Sequence, residues 1–216
     1  MANPTPAESL TITTADGVTL EAALDDGTED GAEPTVVAVV CHPHPLYGGD
    51  MHNPVVRAVA AAVTGAGGVA MRFNFRGVGG SGGQHGEGRA ERHDVSAAVT
   101  ALAARHPEPP LLLAGYSFGG DVSLSVTDDG IAGWLAVAPP MRILPVEELA
   151  AGPDARPVRI VAGSADEFRP PDQLRPLVED WVNLLLTEAA GATHFFMLGL
   201  DTVRSVAADL VRELAS

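Results

Sequence analysis

Val36–Cys41 reads Val-Val-Ala-Val-Val-Cys, an unbroken apolar and mostly β-branched run. Such a run fits a strand buried on both faces, because a half-exposed strand would alternate with polar residues. It therefore demands a parallel sheet with helices packed on both sides. The rest of the chain supplies those partners. Leu10–Thr14 and Val18–Leu24 flank Asp16-Gly17 and predict a hairpin that adds an antiparallel edge. Further strands are predicted at Val69–Phe75, Leu111–Gly115, Trp134–Ala138, Val158–Ala162 and Leu184–Thr187. Helical spacing falls between them. It is carried by Val55, Val56, Val59, Ala60 and Val63, then by Val95, Ala98, Val99 and Leu102, and by the segment Gly119–Val126. Leu174, Leu177, Val178 and Trp181 mark another helix, and Val203, Val206, Leu210, Val211 and Leu214 the last. The acidic, glycine-rich stretch Asp25–Pro34 reads as a surface loop. The alternation predicts an α/β fold with a mostly parallel central sheet and helices on both faces, as one domain over residues 1–216. Chemistry in such folds belongs just beyond the carboxyl ends of strands.

Composition narrows the class. With 46% hydrophobic residues, the chain can build a core without metals or disulfides, burying roughly 70% of its unfolded surface. Cys41, the only cysteine, ends an apolar run and reads as a small buried hydrophobe. No apolar stretch reaches the roughly 18 residues of a membrane span. Met1–Pro6 lacks the basic and apolar regions of a signal peptide, so a cytoplasmic protein without a membrane partner is expected. The net charge is −15 and no basic patch offsets it, which argues against nucleic acid as a partner.

The most informative segment is Leu111–Gly120, which places Gly115-Tyr116-Ser117-Phe118-Gly119 between a strand and a helix. A sharp strand-to-helix turn lifts a serine hydroxyl clear of the sheet, and the glycines two before and two after it admit crowded backbone. Helix N-terminal amides beside Ser117 favour developing negative charge. A serine needs a base. Of seven histidines, only His194 follows Ser117, in a loop after the last predicted strand. Asp166, in the turn after Val158–Ala162, is the acid that would orient it, with Glu167 and Asp172 as rivals. An oxyanion hole needs two backbone N–H donors. Phe118 supplies one candidate, and the loop after Cys41 the other. Pro43 and Pro45 have no N–H, which leaves His44, with Leu46 as the alternative.

Two other patterns carry less. His42, His44, Asp50 and His52 match no defined metal spacing, and His42 and His44 are read as shaping the pocket. His85, His93 and His106 are read as surface residues. Gly77–Gly82 fits Gly-x-Gly-x-x-Gly, but the helix begins only near Ala90 and no acidic residue ends a following strand. Arg76 is instead expected to pin this loop through a carboxylate such as Asp94.

Cys41-His42-Pro43-His44-Pro45-Leu46-Tyr47-Gly48-Gly49, with Asn53 and Val55-Val56, resembles the His-Pro-His-Pro loop of small lidless α/β-hydrolases, similar to the dienelactone-hydrolase and serine-peptidase-like branches. Phe73–Gly79, Gly115–Gly120, Gly163–Asp166 and Thr193–Phe196 match the same group, so the resemblance covers nearly the whole chain. It implies the α/β-hydrolase fold, a Ser117–Asp166–His194 triad and no cofactor. Serine stands where dienelactone hydrolases carry cysteine. The expected activity is cleavage of small carboxylic esters through an acyl-enzyme on Ser117. A peptidase or acyltransferase, or a non-catalytic ligand-binding protein of the same fold, are the alternatives. Pro139–Pro157 leaves room for a loop and a short helix but no substantial lid.

All thirteen basic residues are arginine, against 28 acids. A GC-rich coding sequence accounts for arginine replacing lysine, but not readily for the excess of acids. Adaptation to concentrated salt accounts for that excess, because self-repulsion is screened once the Debye length falls to about 3 Å at 1 M salt. That reading predicts a thermal unfolding midpoint that climbs from dilute to multimolar chloride. A flat or falling midpoint, with full activity in dilute buffer, assigns the acidity to another cause.

Overall fold

A computed structural model describes residues 7–29 and 32–216. The opening segment 1–6 and the centre of the acidic loop, residues 30 and 31, lie outside them. Among the described residues, eight strands form one sheet: β1 (Glu8–Thr13), β2 (Thr19–Asp26), β3 (Val37–Cys41), β4 (Val69–Phe73), β5 (Leu111–Tyr116), β6 (Ile131–Val137), β7 (Val158–Gly163) and β8 (Leu184–Ala189). Their order is β1-β2-β4-β3-β5-β6-β7-β8. β1 pairs antiparallel with β2, and β2 antiparallel with β4; every other pair is parallel. Among the described residues, four helices connect strands, α1 (Pro54–Gly65), α2 (Glu91–Arg105), α3 (Phe118–Leu124) and α4 (Pro171–Val178), and a fifth, α5 (Leu200–Leu214), follows β8.

Alternate residues of β3 enter two separate apolar layers, as its continuous hydrophobic run requires. Val37, Val39 and Cys41 join Phe73, Leu102, Leu113 and Trp134 on the α2 and α3 side. Val36, Ala38 and Val40 join Val56, Val59, Val63, Leu210 and Val211 under α1 and α5. Each fully buried large aliphatic side chain stabilises by about 1.5–3 kcal/mol. Burial also pushes the Cys41 thiol pKa up, so this residue stays an inert thiol in the core.

Several element ends differ from the sequence expectation. β4 stops at Phe73; the Asn74 N–H still bonds the Glu21 carbonyl of β2, and the chain then turns away. β6 starts at Ile131, three residues early, since Ile131 and Gly133 pair with β5 across a register shift. α3 begins at Phe118 and ends at Leu124, whereas Trp181 lies beyond α4 in a turn. β2 extends to Asp26, so the acidic stretch begins inside the sheet. Only a short 3-10 turn, Val146–Glu148, interrupts the segment between β6 and β7; there is no lid. Among the described residues, no helix is long and apolar enough to cross a membrane.

Arg76 follows β4 and fixes the glycine-rich loop as expected. Its Nε and Nη2 lie 2.9 and 2.7 Å from Asp94 Oδ1 on α2, and its N–H donates to Asp94 Oδ2 at 2.9 Å. Nη1 reaches Asp16 in the β1–β2 turn at 2.9 Å. The loop amides are occupied from within: the Gly80 N–H donates to the Glu21 carboxylate at 2.7 Å. Removing one partner of a buried pair leaves the other charge uncompensated, at about 3–5 kcal/mol. Arg76→Met should therefore destabilise by about that amount in denaturant unfolding. The double variant Arg76→Met/Asp94→Leu should recover a large part of the loss.

Candidate active site

The turn from β5 into α3 carries Ser117 at φ 52°, ψ −118°, a strained conformation for a side-chain-bearing residue. Close approach explains both flanking glycines. A Cβ on Gly115 would sit 2.1 Å from the Gly119 carbonyl oxygen, and one on Gly119 would sit 2.5 Å from that of His42. The Ser117 N–H donates to the Val137 carbonyl at 2.8 Å, which ties the turn to β6.

Three side chains meet from three loops. His194 Nε2 lies 2.9 Å from Ser117 Oγ, and its Nδ1 lies 2.9 Å from Asp166 Oδ2. With Nδ1–H donated to Asp166, Nε2 keeps a lone pair for the serine proton. Burial pushes the Asp166 pKa up, but the His194 N–H and the N–H groups of Arg169 and Phe168 more than offset it. The net shift is downward, so Asp166 is ionised at neutral pH. The rivals separate by direction. Glu167 accepts the His194 backbone N–H at 3.1 Å, and Asp172 is exposed on α4. The His194 carbonyl accepts from the Tyr116 hydroxyl at 2.7 Å, so the backbone is held on both sides.

The β3–α1 loop folds over the turn with a 3-10 element at Pro45–Tyr47. Leu46 donates its N–H to His44 Nδ1 at 3.2 Å. The His44 ring packs on Phe118 with centroids 4.9 Å apart. His42 does not shape the pocket, contrary to expectation. It is fully buried, its Nε2 accepts the Phe75 N–H at 2.9 Å, and Nδ1 is 2.6 Å from the Pro43 carbonyl. Burial lowers its pKa to about 4, so the neutral ring is a strut between the segments that follow β3 and β4. His52 is exposed and its N–H bonds Asp50. His85 is also not a surface residue. It lies 2.8 Å from the buried carboxylate of Glu91 and packs against His44 and Phe118. His93 is exposed, and His106 is half-buried at the end of α2.

The cleft above Ser117 has a volume of about 550 Å³. Tyr47, Phe118, Ile143, Phe168 and Phe195 make its lining largely apolar. Its floor depends on Asp121, which sequence reasoning missed. This buried acid, one turn after Ser117, accepts the N–H groups of Met141, Arg142 and Ile143 at 2.9, 3.0 and 2.9 Å. The one signal in the sequence is a carboxylate set among Gly119, Gly120 and Val122 at the start of a buried helix.

The chain matches the family described as serine aminopeptidase, S33, over residues 33–170. It is 32% identical over 170 residues to an uncharacterized protein of Rickettsia prowazekii, covering 74% of this chain and 71% of that one. It is similar to an α/β serine hydrolase homologue from Coxiella burnetii, with TM-score 0.84 and 33% identity over 97% of this chain and 99% of that one. A serine hydrolase without lid from Xanthomonas campestris gives TM-score 0.86 and 32% identity over 99% of this chain and 97% of that one.

Asp121→Ala strands the buried Met141 N–H and the part-buried N–H groups of Arg142 and Ile143; an unpaired buried donor costs about 1–3 kcal/mol, so denaturant unfolding should show a loss of at least about that size. Burial raises the Asp121 pKa from 3.8 to about 6, against the pull of the three N–H groups. The folded state therefore holds this proton more tightly than the unfolded chain. Its contribution to stability falls as pH rises from about 4 to about 6. Over that window the wild type should lose stability relative to Asp121→Asn, measured as the difference between their unfolding free energies.

Proposed function

The chain belongs to the serine aminopeptidase S33 family and has the fold of the small lidless α/β-hydrolases, and from that premise we propose that it hydrolyses carboxylic esters through an acyl-enzyme on Ser117. The observation that carries the reading is the unbroken pair of 2.9 Å contacts from Ser117 Oγ through His194 to Asp166. His194 Nε2 takes the hydroxyl proton as Oγ bonds to the carbonyl carbon. The oxyanion is received by the backbone N–H groups of Phe118 and His44. Leu46 is the weaker donor candidate, because its N–H is already engaged by His44 Nδ1. Collapse breaks the bond to the leaving oxygen, which receives the proton from His194. Water then attacks the acyl carbon with His194 again as base, releasing the acid and restoring Ser117. Asp166 holds the imidazole tautomer and balances its charge while it is protonated.

The family description raises a second reading, aminopeptidase activity. A free α-amino group is recognised by a carboxylate, yet among the described residues no Asp or Glu lines the cleft and an arginine does. That charge pattern favours esters over peptides with a free amino terminus.

A fluorophosphonate probe should label Ser117 in the folded protein, and a folded protein left unlabelled means a binding module. Ser117→Ala and His194→Ala should each lower ester turnover by several orders of magnitude. Asp166→Asn should cost a similar amount or somewhat less. Near-normal activity of Ser117→Ala overturns the assignment. Without a lid, short soluble esters should turn over faster than long-chain emulsions.

A further inference from the structure

Among the described residues, ten of the thirteen arginines lie within 4.0 Å of a carboxylate. Arg142 does not, although 28 acids are available. It lines the cleft beside Ser117, where no carboxylate faces it. Its guanidinium carbon stands 5.2 Å from the centroid of the Phe168 ring. That ring in turn packs on His194, with centroids 4.5 Å apart. The cation is thus stacked on the wall of the reaction centre, with its fork of N–H donors unmatched by any acid.

The backbone beneath it is fixed. Asp121 accepts the N–H groups of residues 141, 142 and 143, and Asp121 belongs to the same short helix that Ser117 begins. Arg169 Nε donates to the Pro140 carbonyl at 2.9 Å, which ties the same loop to the turn bearing Asp166. Met141 is held at φ 51°, a conformation of order 1–3 kcal/mol that persists only where its surroundings over-determine it. The Arg142 backbone is therefore anchored to the helix that Ser117 begins.

We infer that Arg142 is an anion subsite and that the substrate is an ester whose acyl or alcohol part carries a second, ionised carboxylate. Guanidinium binds carboxylate through two parallel N–H···O bonds, a geometry that a neutral ester or a second cation does not match. The net charge of −15 does not oppose this at short range. At physiological salt the Debye length is about 8 Å, so a docked carboxylate feels Arg142 and little of the distant acids. The inference rests on the serine-hydrolase reading of the same site and falls with it.

Two substrate pairs test it and locate the charge. On the acyl side, mono-4-nitrophenyl adipate is compared with 4-nitrophenyl adipamate. On the alcohol side, 4-acetoxyphenylacetate is compared with 4-acetoxyphenylacetamide. The wild type should prefer the charged member of one pair at least tenfold in kcat/KM, chiefly through KM. Arg142→Gln should erase that preference and Arg142→Lys restore part of it. Adipate or 4-hydroxyphenylacetate should also compete with a neutral ester in the wild type, a readout that survives if Arg142→Gln fails to fold. Fluorophosphonate labelling and neutral-ester turnover, with no charge preference and no competition by either acid, overturn the subsite alone. A charge preference that Arg142→Gln leaves intact does the same. Absence of both labelling and neutral-ester turnover overturns the underlying reading and the subsite with it.

Discussion

The turn at Ser117 is held where no unsupported chain would stay. A non-glycine residue at φ 52° costs on the order of 1–3 kcal/mol. The surrounding sheet supplies the restraint. β5 is buried between β3 and β6, the Ser117 N–H is bound to the Val137 carbonyl, and the backbones of Gly115 and Gly119 press together with no room for a Cβ. The core thus converts non-directional burial into a fixed position for one hydroxyl. Without the buried strands on either side, the same ten residues would relax into an ordinary turn.

Polar groups buried near the site act as struts rather than as reagents. His42 joins the β3 loop to Phe75, Arg76 with Asp94 joins the β4 loop to α2, and Asp121 joins α3 to the segment after β6. Each ties together two backbone segments near the carboxyl ends of the strands. Loops are the least constrained parts of an α/β fold, and the chemistry of the site requires them to agree within fractions of an ångström. Satisfied buried hydrogen bonds achieve this, because an unpaired buried donor costs more than the bond itself contributes. Glu91 does the same within one loop, accepting the N–H groups of Gly86 and Gly88 while facing His85.

The cleft departs from the rest of the molecule in charge. The chain carries a large acidic excess, yet the walls around Ser117 are largely aromatic and aliphatic, with Arg142 and, among the described residues, no acid. An apolar wall strengthens electrostatic interactions made within it.

The order of strands and helices, the serine between two glycines and the one histidine after it are all local or sequential features. The period of the apolar pattern, the steric needs of a tight turn and chain order make them legible without coordinates. Arg76 with Asp94 was within reach for the same reason, since a buried loop arginine needs an acid. Direction was not legible. Asp166 and Glu167 are neighbours, and only the folded turn decides that one faces the imidazole and the other the His194 backbone. His42 and His44 stand two apart in a similar motif, yet one is a buried strut and the other a wall of the cleft. Asp121 with residues 141–143, His85 with Phe118, and Arg142 over Phe168 join segments far apart in the chain. Periodicity reports which face of an element is buried. It carries nothing about which distant side chain waits there, and that was settled only when the sheet brought its carboxyl ends together.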